Sequence, residues 1–310
     1  MSALAGGLAY FIPAAQLALE ATGQVIHVTP SPSMLFSPTP SSRPAATATP
    51  VTGAFTVLLL GSDDDSKFNP DHVLTQSMIL VRVVPSTKEV TMLSIPRDLY
   101  VHLSTGGFGK IDGAYSYGGP GAAVATVEQD FGVHVDDYIW IGLLGLVKLI
   151  DAIGGIDVVT SNPVFDDYYP ADILSSWPYD YERVAVLAGA QHLDGIHAMQ
   201  YVRSRHGDLQ SDLGRSQRQQ QVLIAIRQKA KTLSPEDIPQ ISTALGGEVK
   251  TSIGLPKIAQ LLPVAASFDN PDQIRQLILA NPYTHGCGCP ETYITPNWNL
   301  ILPLVRQYFP

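Results

Sequence analysis

Between residues 54 and 160 the chain alternates short, almost wholly apolar runs with longer stretches of helical period. The run FTVLLLG (55–61) has no polar face, which predicts a strand buried on both sides and ending at Gly61. SMILVRVVP (77–85) and EVTMLSIP (89–96) predict two more strands, separated by the turn-like Ser86, Thr87 and Lys88. GAAVATVEQDFG (121–132) has the spacing of a helix and DYIWIG (137–142) that of a short strand. LLGLVKLIDAIGG (143–155) predicts a helix stopped by Gly154 and Gly155, followed by a strand at IDVV (156–159). DGIHAMQYV (194–202) predicts a helix, and LGRSQRQQQVLIAIRQKAKTL (213–233) a long amphipathic one. Helical patterns follow at 235–245 and 255–267, then a strand at 273–279. Buried strands alternating with helices argue for a layered α/β domain beginning near Ala54. No repeat of 20–50 residues is present.

Upstream of this domain the pattern changes twice. Residues 1–28 open with an uncharged, fairly apolar stretch, diluted by Pro13, Gln16 and two glycines. A basic flank is the usual companion of an anchor or signal segment, yet no Lys or Arg precedes Arg43. The expectation is a membrane anchor that the chain enters partway. Residues 29–53 hold six prolines among Ser, Thr and Ala, the composition of an extended stalk or linker. The expected organisation is therefore an anchor segment (1–28), a stalk (29–53), a folded domain (54–280) and a C-terminal extension (281–310).

Composition narrows the chemistry. The 310 residues are 45% hydrophobic and 15% charged, which describes a well-filled core. The net charge of -9 and the sequence pI of about 5.2 argue against nucleic acid as a partner, because that needs a broad basic footprint. The two cysteines, Cys287 and Cys289, are too few to close a zinc site; a bridge between them and a pair of loop thiols both fit the sequence. No Walker A loop, GxSxG elbow or HExxH motif is present. Asp63, Asp64 and Asp65 follow a buried strand, where carboxylates can serve Mg²⁺ or simply face solvent.

Against that acidic background, residues 201–221 (YVRSRHGDLQSDLGRSQRQQQ) gather Arg203, Arg205, Arg215 and Arg218. Arg is suited to forked contact with phosphate or carboxylate. If 201–205 is extended, Arg203 and Arg205 point the same way. If 212–231 is helical, Arg215, Arg218 and Gln219 share a face near its N-terminus, where the dipole favours an anion. Solvated ion pairs with Asp208 and Asp212 are the competing reading.

The ordered set VLLLGSD (57–63), SMILVRV (77–83), SIPRDLYV (94–101), KIDGAYSYGG (110–119), DAIGGIDV (151–158), LDGIHAMQYVRSRH (193–206) and GRSQRQQ (214–220) resembles the LytR-CpsA-Psr family of bacterial envelope proteins. The resemblance implies an α/β/α sandwich with a mixed central sheet, on the outer face of the cytoplasmic membrane. It implies a phosphotransferase that moves a polyprenyl pyrophosphate-linked glycopolymer onto peptidoglycan or another envelope acceptor, with pyrophosphatase side activity. A polyprenyl-phosphate binding module without catalysis is the alternative. By position, Arg97, Arg203, Arg205 and Arg215 match pyrophosphate-binding arginines, Gln219 their companion amide, and Lys110 a lysine at the same head group. Arg97, Asp98, Arg203 and Arg205 are the residues the resemblance places in catalysis. Asp63 matches the first Mg²⁺-binding aspartate. Where family members carry an arginine and a second aspartate, this chain has Leu74 and Gln76, which implies weakened metal binding. The apolar segments 120–131, 142–153 and 220–227 are the candidate walls of the lipid groove.

Overall fold

The computed structural model describes residues 52–62, 73–171, 177, 180–204, 211–233, 237–254, 257, 260–261, 273–288 and 292–310. The expected anchor and nearly all of the stalk, as well as most of the helical pattern at 255–267, lie outside these residues. The chain runs β1 (Phe55–Ser62), β2 (Thr75–Val84), β3 (Glu89–Ile95), β4 (Tyr100–His102), β5 (Phe108–Lys110), α1 (Gly113–Phe131), β6 (Asp137–Gly142) and α2 (Leu143–Ala152). It continues through β7 (Ile156–Thr160), β8 (Val164–Pro170), β9 (Tyr181–Val186), β10 (Gly189–Leu193), α3 (Gly195–Arg203), α4 (Ser211–Ala230) and α5 (Ile238–Leu245). Last come β11 (Val249–Thr251), β12 (Ile274–Ile278), β13 (Thr284–Gly286), β14 (Ile294–Pro296) and α6 (Trp298–Tyr308).

A six-stranded sheet in the order β11-β6-β1-β2-β3-β12 forms the middle layer. β1 pairs parallel with β6 and antiparallel with β2, and β3 pairs parallel with β12, so the sheet is mixed. The unbroken apolar run of β1 is explained by its central place. Val57 and Leu59 enter one core with Ile79, Ile139 and Ile150, while Leu58 and Leu60 enter another with Leu80, Trp140 and Phe131. Helices α2, α3, α4 and α5 cover the first face, and α1 and α6 the second. The result is an α/β/α sandwich of mixed sheet.

Several elements extend what the pattern predicts. Helix α1 begins eight residues before the expected 121, across a kink where Gly118 and Gly119 leave helical geometry and Pro120 restarts the turn. β8 and β9 form a separate two-stranded ribbon. Within the expected extension 281–310, Ile301, Val305 and Phe309 are buried in the second core, and a bridge pairs Ile294 with Leu99. Cys287 is disulfide-bonded, which settles the choice between bridge and free thiol for that residue.

Candidate functional site

The strand directions place one edge of the sheet at the site. β1, β6, β3 and β12 all end there, and antiparallel β2 begins there. Along the edge, in sheet order, stand Gly142, Ser62, Gln76, Arg97 and the turn after Ile278. Ligands of open α/β sheets bind beyond the carboxyl ends of the strands, and the cavities of this protein follow that rule.

A cavity of about 340 Å³ opens between β1, β2 and β6 and the helix layer above them. Its walls are apolar: Leu59, Ile79, Ile139 and Ile141 from the sheet, Leu143 and Leu146 from α2, and Val222 and Leu223 from α4. Its mouth is polar, with Arg97, Arg203, Arg215, Gln76, Ser77 and Gln219. Of the expected groove walls, 142–153 and 220–227 contribute. Segment 120–131 does not: in α1, Ala123, Val127 and Phe131 pack into the core on the opposite side of the sheet. The ribbon adds Asp166, Tyr169 and Pro170, which apolar periodicity does not single out.

Each polar residue at the mouth is held by a neighbour. Arg97 Nη1 donates to the Gln76 side-chain oxygen, and Arg97 Nε lies 3.4 Å from Asp98 Oδ2. Lys110 Nζ donates to Asp98 Oδ1 at 2.7 Å, so Asp98 ties two cations together. Ser77 Oγ donates to Gln219 Oε1 at 3.0 Å. Arg203 sits with its guanidinium carbon 5.6 Å from the Tyr169 ring centroid, in cation–π range. Arg215 is buried, as is Asp166, whose Oδ1 accepts from the Tyr168 amide at 3.1 Å. Beneath the cluster lies Asp112, whose amide donates to the Arg97 carbonyl at 3.2 Å. Burial raises its carboxyl to about 6, against the pull of Arg97 and Lys110 and with the push of Asp98.

The structure thus brings Arg97, Arg203, Arg215, Gln219 and Gln76 to one cavity, with Asp98 and Lys110 behind Arg97. Lys110 reaches Asp98 and does not line the cavity. Asp63 and Arg205 lie outside the described residues. Arg203 ends helix α3, so the extended reading of 201–203 is replaced by a helical one. Arg218 departs from the expected shared face. Its Nε donates to the Tyr201 carbonyl at 2.6 Å and its Nη2 to the Ser204 carbonyl at 2.5 Å, closing the C-terminal end of α3. On a helix, residues 215, 218 and 219 are near neighbours, but the reach of a guanidinium lets Arg218 turn to nearby carbonyls. The Gln76 side-chain oxygen, the matched metal position, is neutral and accepts from the Arg97 guanidinium. Among the described residues no group of three His, Cys, Asp or Glu is placed to hold a metal ion.

The site is thus an apolar cavity inside a three-layer α/β/α domain, with arginines from three segments at its mouth. The chain belongs to the LytR_cpsA_psr family, whose pattern it matches over residues 28–289. It is 34% identical over 224 residues to the polyisoprenyl-teichoic acid–peptidoglycan teichoic acid transferase TagU of Oceanobacillus iheyensis, covering 70% of this chain and 64% of that protein. It is 32% identical over 227 residues to TagT of Bacillus subtilis, covering 72% and 67% respectively. The chain therefore spans roughly two thirds or less of these curated relatives. Among solved structures it resembles B. subtilis TagV with a TM-score of 0.67 and 28% identity, over 84% of this chain and 96% of that one. It also resembles TagT bound to LI-WTA, with a TM-score of 0.64 and 27% identity, over 82% and 89%.

Proposed function

We propose that this protein is a phosphotransferase that moves a polyprenyl pyrophosphate-linked glycopolymer onto peptidoglycan or another envelope acceptor. The observation that carries the reading is the apolar cavity of about 340 Å³ opening onto Arg97, Arg203 and Arg215. A long hydrocarbon tail with a compact, multiply charged head is the ligand that uses both halves. The relatives named as teichoic acid transferases support the reaction class.

In this reading the acceptor hydroxyl oxygen forms a bond to the glycan-bearing phosphorus. The bond from that phosphorus to the bridging oxygen breaks, and polyprenyl phosphate leaves with its tail still in the cavity. The hydroxyl proton passes to solvent. Such a transfer needs positioning and charge neutralisation, and little covalent help. Arg97, Arg203 and Arg215 supply the charge, Gln219 a neutral amide held by Ser77, and Asp98 fixes Arg97 against Lys110. By the family resemblance Asp63 would hold Mg²⁺ from the protein side, and the ion would supply further charge neutralisation at the pyrophosphate; Gln76 would contribute no negative charge to it. Pyrophosphate hydrolysis is the same displacement with water as acceptor.

We place the protein at the outer face of the cytoplasmic membrane, held by its N-terminal segment. The disulfide at Cys287 supports an oxidising compartment. Among the described residues no helix is long and apolar enough to cross a membrane. A binding module without turnover is the second reading, favoured by Gln76 standing where family members carry a metal-binding aspartate. Purified protein incubated with labelled lipid-linked glycan and wall fragments separates the two. Transfer of label that is lost in Arg203→Ala supports the enzyme; tight lipid binding with no transfer supports the module; turnover undiminished in Arg203→Ala removes the clamp.

A further inference from the structure

A second cleft, of about 320 Å³, lies on the other side of Arg97 and Arg215 from the lipid cavity. The order of the sheet edge explains this. The lipid cavity spans β6, β1 and β2, Arg97 follows β3, and the second cleft lies beyond it at the end of β12. Its lining mixes hydrogen-bonding side chains (Asn281, Thr284 and His285) with the apolar Ile294, around Asp98. Outside the cleft the surface continues onto the ribbon β4–β5. Tyr100 pairs with Lys110 and His102 with Phe108, so these four side chains share the face opposite buried Val101. On this face Tyr100 stacks on Tyr293 at 4.3 Å and on Phe108 at 6.1 Å, and His102 meets the Phe108 ring edge-on at 5.2 Å. Phe108 ends the stack and is 67% exposed. Lys110 on the same face reaches Asp98, which joins this ledge to the arginines.

We propose that the second cleft and the aromatic ledge of Tyr293, Tyr100 and Phe108 form the track on which the acceptor glycan binds. The proposal rests on the lipid-linked donor reading of the first cavity. A phosphoryl displacement sets the entering and leaving oxygens in line on opposite sides of phosphorus. With the lipid phosphate leaving into the first cavity, the acceptor hydroxyl must arrive from the side of the second. A pyranose offers an apolar C–H face and a rim of hydroxyls. The ledge supplies flat apolar surface for the first, and the exposed Asn281 and His285 supply partners for the second. A rigid stack suits a polymeric acceptor, because little side-chain freedom is lost when a sugar ring settles on it.

The test uses the full chain and two probes: farnesyl pyrophosphate for the lipid cavity, and short peptide-free peptidoglycan glycan strands for the track. The strands are expected to bind protein already saturated with farnesyl pyrophosphate. Phe108→Ala, and more so the pair Tyr100→Ala with Phe108→Ala, should weaken strand binding at least tenfold. Farnesyl pyrophosphate affinity and melting temperature should hold in Phe108→Ala, and Phe108→Trp should retain strand binding. Unchanged strand affinity in both alanine variants overturns the proposal. So does displacement of the strands by a lipid-linked glycan, which would assign the track to the donor's own sugars. Should the wild-type chain bind strands on the ledge but not farnesyl pyrophosphate, the lipid reading falls and the glycan track stands.

Discussion

Gln219, Gln220 and Gln221 are neighbours in sequence and serve three different parts of the molecule. Gln219 accepts from Ser77 at the cavity mouth. Gln220 is fully buried and donates to Ser94 Oγ at 2.8 Å and the Leu277 carbonyl at 3.0 Å, fastening α4 to the sheet. Gln221 accepts from Tyr201 Oη at 2.7 Å and donates to the Val159 carbonyl. Together they fix the roll of α4, and with it the position of Arg215. The other half of the mouth depends on Gln76. Replacing it with Asp returns a carboxylate beside Arg97, and Mg²⁺ affinity of the farnesyl pyrophosphate complex is expected to rise at least tenfold in calorimetry. An unchanged affinity would show that position 76 does not face the metal. Asp112 gives a pH test of the same cluster. Its folded carboxyl titrates near 6 while an unfolded Asp titrates near about 3.9. The folded state therefore holds this proton more tightly, so stability is lost as pH rises from about 4 through 6. Asp130, also raised to about 6 by burial, acts in the same direction. Asp112→Asn removes the first contribution. Its stability relative to wild type is expected to improve by about 2–3 kcal/mol between pH 4 and pH 7 in urea unfolding.

At the scale of elements, the packing of α2 against α3 sets where Arg203 emerges. Gly195 begins α3, and its amide donates to Asp151 Oδ1 at 2.7 Å. A Cβ at Gly195 would overlap the carbonyl of Val147 in α2, which is backbone and cannot swing away. Gly195→Ala is expected to cost about 1–3 kcal/mol of stability by forcing the helices apart. It should also weaken farnesyl pyrophosphate binding, because Arg203 closes the same helix; thermal melts with and without ligand measure both. These helices were legible in the chain because their apolar positions recur at helical spacing and end at glycines such as Gly154 and Gly155. The ribbon β8–β9 was not. Its register shifts between Asp166 and Tyr169, so VFDDYYP never alternates cleanly, and the side chains that line the cavity carry no periodic mark. Helix α6 was hidden for a related reason: Pro303 interrupts WNLILPLVRQY, and only tertiary packing shows Ile301 and Val305 as core. Within the site, the arginines were visible as a charge anomaly. The departure of Arg218 to cap α3 was not, since spacing gives a helix face and says nothing of which carbonyls lie within reach.

At the scale of the whole molecule, the layered architecture leaves an opening in the core on one side of the sheet. Protein interiors are otherwise close-packed, and cavity volume in them costs about 24 cal/mol per Å³. A cavity of about 340 Å³ among Leu59, Ile79, Ile139, Leu146 and Val222 is a large departure from that density, sustained by a framework of three layers. A hydrocarbon tail that fills it restores dispersion contacts and removes apolar surface from water, at about 0.8 kcal/mol per buried CH₂. A ligand that binds only the folded state stabilises it by RT ln(1 + L/Kd), where L is the free ligand concentration, so at a fixed concentration the melting temperature rises with the logarithm of its affinity. Stabilisation is therefore expected to grow along the series inorganic pyrophosphate, geranyl, farnesyl and geranylgeranyl pyrophosphate, and to level off once the tail outgrows the cavity. Narrowing the cavity separates the tail from the head. Val222→Phe should flatten the dependence on tail length while leaving the small shift given by pyrophosphate alone, because Arg97, Arg203 and Arg215 are untouched. Thermal shift measurements over the series on both chains read this directly. A shift independent of tail length in the wild-type chain would mean that the arginines bind the head alone and that the cavity does not accept the lipid.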